Sequence, residues 1–209
     1  MRQLSQVELA QFLIEKADQY AKFSFVQDDP IQIPHAFSSA EDIEISALIA
    51  ATLSWGNRKT IIAKSNDLMD RMDRSPAEFI RSASESDLEA FNGFVHRTFQ
   101  SEDIKGLARG LKMLYQEYES LGAFFKAHVR DGDAHLGHTF QAFKGYLLSN
   151  GLPLRAGKHF GDPSKGSACK RLIMFTRWMV RSNKEGIDFG LWDIDPVSYT
   201  HLTLPTTPY

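Results

Sequence analysis

Cysteine is almost missing. Cys169 stands alone among 209 residues, so no internal disulfide can form and a cysteine-rich zinc site is excluded. Long apolar runs are missing as well: nothing approaches the roughly 18 to 20 residues that cross a bilayer. The opening MRQLSQVELAQFLIEKADQY has no apolar signal core and reads as an amphipathic helix. These absences point to the cytoplasm and to a protein that needs no membrane. Net charge is scarce too, at −2, and gives no global argument for a polyanionic partner. A P-loop, a dinucleotide fingerprint and a hydrolase nucleophile elbow are absent, and no cofactor is expected.

What is present is apolar periodicity at helical spacing. An apolar share of 43% supports a real core, and the length suits one sizeable domain. Leu9, Phe12, Leu13 and Ala17 form a first stripe, over roughly residues 5–22. Pro30 and Pro34 make Gln27–Phe37 a connector. Ser38 or Ser39, with Glu41 and Asp42, opens a helix through EISALIAATLS, so continuously apolar that burial nearly all round is expected. Trp55-Gly56-Asn57 reads as a turn into a second helix, and Ser75-Pro76-Ala77-Glu78 as a capped helix start. Ser101 is the expected cap of a helix carrying Leu107, Leu111 and Leu114. Further stripes run through Leu121–Val129 and Ala134–Leu148 to a stop at Asn150-Gly151, and a last helix follows Asp162–Gly166. No alternating strand is expected within residues 1–196.

The charges are segregated. Between Pro153 and Lys184 stand Arg155, Lys158, Lys165, Lys170, Arg171, Arg177, Arg181 and Lys184 against Asp162 alone, a net +7 that leaves −9 for the remainder. Such a stretch is either an anion-facing surface on an acidic body or a solvated helix face.

The segment EISALIAATLSWGNRKTIIAKSNDLMDRM, followed by a Ser-Pro-capped helix, resembles the opening of helix-hairpin-helix DNA glycosylases of the endonuclease III type. Residues 20–196 more closely resemble a bacterial, mostly bacteroidete, family related to that superfamily. The words in common are DPIQIPHAF, LSWGNRKTII, FVHRTF, GSACKRLIMFTRWMVR and GIDFGLWDIDP. The resemblance implies an all-α, helix-hairpin-helix DNA glycosylase-like domain over residues 1–196, incomplete at its C-terminus. It implies binding of duplex DNA through the phosphate backbone and excision of a modified base by N-glycosidic hydrolysis. Oligomeric state is not indicated.

The region around Gly166 then corresponds to the backbone-binding hairpin, with Ser164, Lys165, Gly166, Ser167 and Lys170 as contacts. Trp55, Asn57 and Arg58 fall where such enzymes wedge into the duplex beside an extruded base. Packing of Trp55 in the core is the competing and favoured reading. Two departures bear on chemistry. Ser164 replaces a hairpin glycine, and Ala168 stands where strand-cleaving members keep a nucleophilic lysine; Lys170, about 200° further round a helix, does not substitute. A Schiff-base mechanism is therefore disfavoured. The catalytic aspartate of the superfamily is expected shortly after GLWDIDP, where VSYTHLTLPTTPY stands instead; residues 197–209 read as a foreign or disordered tail. The catalytic residue is unassigned, with Asp193 and Asp195 expected to be solvated.

His128, Asp131, Asp133, His135 and His138 invite a metal reading, with His135 and His138 at a usable spacing. Capping of helix ends is favoured, and no metal is expected. Two rivals to the enzyme remain: a non-catalytic nucleic-acid-binding module, and a helical scaffold whose basic stretch meets an acidic partner.

Overall fold

The computed structural model describes residues 5–20, 22–130 and 135–194, with the backbone alone for 17–20. Asp131, Asp133, Asp195 and the 197–209 tail lie outside the described residues. Eight α-helices appear among those described: α1 Gln6–Tyr20, α2 Ala40–Leu53, α3 Arg58–Arg71, α4 Pro76–Ser82, α5 Ser101–Tyr118, α6 Leu121–His128, α7 Gly137–Ser149 and α8 Lys170–Val180. None is long and apolar enough to cross a membrane.

α2 is the axis of the molecule. Ser39 caps it by accepting the Asp42 amide at 3.1 Å, and every residue from Ile43 to Leu53 is buried. The all-round burial follows from position: α3, α4, α6 and α8 all pack around α2, so no side is left to water. α5 packs on α4, α6 and α7. Between α6, α7 and α8 the core is aromatic, with Phe125 4.8 Å and Phe175 5.2 Å from the Trp192 ring. The connector from Phe23 to Ala36 is a run of three 3-10 turns; Pro30 and Pro34 each open one, where a missing N–H costs nothing.

Three local expectations change. Ser75 makes no side-chain cap; the Ala77 amide of α4 donates to Asp42 of α2 at 2.9 Å, so a neighbouring helix caps it. α5 is capped one residue earlier than expected, at Gln100, whose amide donates to Asp103 at 2.9 Å. Two short antiparallel strands exist where none was expected: β1 Val95–His96 and β2 Phe99–Gln100, paired Val95 to Gln100 and His96 to Phe99. Two-residue strands leave no alternation to detect. They form because Arg97 turns the chain at φ 55° and puts His96 and Phe99 together on the buried face.

Candidate nucleic-acid interface

The bend before α8 is built by its first residue. Asp162 accepts the Ser164 amide at 3.2 Å and the Ser164 hydroxyl at 2.6 Å. Its carbonyl takes the amides of Lys165 and Ser167, both at 3.1 Å, and the Gly166 amide donates to Pro163 at 3.0 Å. Gly166 then reverses the chain in the left-handed region, φ +74°, where only glycine sits without strain. Gly161 closes the base of the loop: a side chain there would meet Ser167 Oγ at 2.6 Å and Cys169 Sγ at 2.7 Å. Ser164, Lys165 and Gly166 face solvent.

This geometry moves the donor set. The amides of Ser164, Lys165, Gly166 and Ser167 are all engaged inside the bend and are not free for a phosphate. The uncommitted amides belong to the first turn of α8, which no side chain caps. Cys169, at φ 46°, sets the start of that turn, so α8 begins at Lys170 rather than including Ala168. The helical angle between Ala168 and Lys170 therefore does not apply. The bend is also preceded by a 3-10 helix, Leu154–His159, instead of an α-helix.

The basic stretch divides into two sets. Arg155 pairs with buried Asp103 at 3.0 Å, and Arg177 and Arg181 pair with buried Asp188 at 3.4 and 3.5 Å. Arg171 turns inward: it donates to the Thr52 carbonyl at 2.6 Å and lies 4.8 Å from the Trp55 ring. Lys158, Lys165, Lys170 and Lys184 are exposed and make no ion pair among the described residues.

Of the two segments singled out from sequence, 164–170 and 55–58, the second meets the residue that follows the first: the Trp55 ring lies 4.8 Å from Arg171. Arg171 ties α8 to the end of α2, and Arg58 at the start of α3 and Arg177 of α8 both act on Asp29. Burial pushes that carboxyl up, and the Ile31 amide and these two arginines oppose the rise. Asn57 spends its side-chain oxygen capping α3 at Thr60, 3.3 Å away. Trp55 is half-buried, with His96 edge-on at 4.8 Å and His159 tilted at 5.1 Å besides Arg171. Its ring is surrounded by protein on several sides.

Within FVHRTF, His96 reads as a core histidine with a polar partner more than as a phosphate-binding one; His159 gave no signal in the sequence. Both are buried and both leave Nε2 without a hydrogen-bond partner. Burial first, then the Arg171 and Lys158 charges, pull His159 down to about 4. Among the other described histidines, His128 Nδ1 bonds the Phe124 carbonyl at 2.8 Å and His135 Nδ1 accepts the Gly137 amide at 3.2 Å, while His138 Nδ1 is buried without a partner. No group of three His, Cys, Asp or Glu residues able to hold a metal occurs among the described residues. Asp193 is exposed and pairs with Lys126 at 2.9 Å.

Residues 29–207 match the model of a family described as a protein of unknown function, DUF2400. The match contains the bend and both arginine-bearing helix starts and runs into the 197–209 segment. No curated protein matches the chain, and no solved structure does.

Proposed function

The chain belongs to the DUF2400 family, and from that premise and its own geometry we propose that it binds the sugar–phosphate backbone of duplex DNA at the 162–170 bend. The observation that carries this reading is the exposed, glycine-turned bend, with Lys165 and Lys170 making no ion pair among the described residues, leading into a helix whose first turn no side chain caps. A helix start of this kind favours an anion through its dipole and its free N–H groups, and lysines add charge without demanding a sequence.

The reading places the fold with the helical DNA glycosylases and extends to excision of a modified base. Strand incision is left out, because Ala168 stands where the resemblance to the glycosylases implies the Schiff-base lysine. Base release from damaged duplex, without incision, is the assay for that chemistry.

Backbone binding is tested by duplex affinity across a salt series, read by fluorescence anisotropy. Each phosphate contact contributes about −0.9 to the slope of log K against log salt. Lys165→Ala and Lys170→Ala should each flatten the slope by about that amount. An affinity insensitive to salt, or a slope equal in wild type and both variants, overturns the reading.

A further inference from the structure

The β1–β2 hairpin reverses in two residues, Arg97 and Thr98, and the first of them stands at φ 55°. Tight hairpin turns favour glycine at such a position, because a longer side chain is strained there. An arginine at the tip therefore costs stability. Bonds on both sides hold it in place. The His96 ring bonds the Leu53 and Trp55 backbone, and the Thr98 backbone bonds the His159 ring. The tip is thereby fastened to the end of α2 and to the Leu154–His159 turn.

Gly56 makes room for the arginine. A Cβ at position 56 would meet Arg97 Nη1 at 2.5 Å, with Cδ and Cζ at 3.5 Å, so a residue without a side chain lets the guanidinium lie on the Trp55-Gly56-Asn57 turn. Two positions thus give up something local, an unstrained tip at 97 and a side chain at 56, for one placement. The placed group has no protein acceptor: Arg97 is exposed and makes no hydrogen bond or ion pair among the described residues. Arg155, Arg177 and Arg181 each reach a buried carboxylate, and Arg171 reaches a carbonyl. The charges acting on the two histidines that hold the tip are cationic, Arg97 and Lys64 on His96 and Arg171, Lys158 and Arg155 on His159. A guanidinium held by packing keeps its forked donors oriented, so an anion that binds it orders little further.

We propose that Arg97 is a second backbone contact for the polynucleotide, taking a phosphodiester in a forked pair of hydrogen bonds at the tip of the β1–β2 hairpin. The inference rests on the reading of the 162–170 bend as a DNA-backbone surface and adds a contact outside it. A short run of contacts joins the two places. Arg171 follows Lys170 in α8 and lies 4.8 Å from the Trp55 ring; Gly56 comes next, with Arg97 packed on it. A polyanion with one charge per ~3.4 Å of each strand can satisfy separate cations at once, which a single acidic side chain cannot.

Arg97→Gly separates binding from folding, since glycine accepts a positive φ without strain. With the full chain and a short duplex followed by anisotropy, it should lower the slope of log K against log salt by about 0.9. Affinity should fall about tenfold, as for one lost charged hydrogen bond, while the urea midpoint holds or rises. An arginine kept only for packing would give the reverse, a lower midpoint and an unchanged slope, and that result overturns the proposal. Gly56→Ala should weaken binding in the wild type and add nothing in the Arg97→Gly background, because both act through one guanidinium. Should Gly56→Ala not fold, Arg97→Gly alone decides. A slope unchanged by Arg97→Gly, with the Lys165 and Lys170 effects intact, refutes the hairpin contact and leaves the backbone reading standing. Salt-insensitive binding by the wild type removes both.

Discussion

Glu44 shows what one buried residue does for this fold. It is 3% exposed and accepts four hydrogen bonds: from the Tyr115 hydroxyl at 2.8 Å, the Leu121 and Gly122 amides at 3.0 Å and the Trp192 indole at 2.6 Å. One carboxylate thereby joins α2, α5, the start of α6 and the segment after α8. Replacement by leucine strands four buried donors, and Glu44→Leu should lose about 3–5 kcal/mol of unfolding free energy in urea. A loss below about 1 kcal/mol would mean that these donors find other partners. His159 predicts a pH dependence with a definite sign. Burial holds its folded-state value near 4, below the ordinary 6.5. Its contribution is therefore complete above 6.5 and is lost as pH falls from 6.5 through 4, by about 3 kcal/mol. The raised Glu44, Asp29 and Asp188 act in the opposite direction, so the comparison is between wild type and His159→Gln. The variant should lose less stability between pH 7 and pH 4.5, and equal losses in urea titrations would count against a buried neutral ring.

At the scale of elements, the helix starts separate what is local from what is tertiary. Ser75 has every local feature of a cap but makes no side-chain bond. Asp42 takes the Ala77 amide across the α2–α4 contact and also receives the Ser39 hydroxyl at 2.5 Å. Ser75→Ala should therefore change stability by less than about 0.5 kcal/mol, whereas Asp42→Ala should cost about 1–2 kcal/mol; the reverse order in urea unfolding would restore Ser75 as the cap. Sequence reading succeeds where the cause lies within one turn: Ser39, one of the two candidate caps, caps α2, and Asn150-Gly151 ends α7. The buried character of α2 was legible for the same reason, since its apolarity is unbroken. The β1–β2 pair, the Asp42 cross-cap and the start of α8 were not legible. Each is set by a partner distant in sequence or by one left-handed residue. The bend shows the limit most clearly: its position could be read from Asp162, Pro163 and Gly166, but not that its own amides close the loop and leave the donors to the following turn.

The whole molecule turns on which charges are free. Counting residues from Pro153 to Lys184 gives a single basic block, but counting cannot tell a cation that holds the fold from one that faces water. The structure separates them. Arg155 sits 3.0 Å from Asp103, which is 0% exposed, and Arg177 and Arg181 serve Asp188; their charge is matched within the protein. Lys165 and Lys170 have no such partner among the described residues. The two sets should therefore respond oppositely to the same substitution. Arg155→Ala leaves a buried carboxylate without its cation and should cost about 1–3 kcal/mol of stability. It should leave the salt slope of duplex binding unchanged, because no released counterion belonged to it. Lys165→Ala and Lys170→Ala should alter stability by less than about 0.5 kcal/mol and each remove about 0.9 from the slope. Urea unfolding and a salt series on the same three variants separate the cases. If Arg155→Ala flattened the slope as much as Lys170→Ala, the polyanion would be reading the block as a whole, and the division between structural and free cations would be wrong.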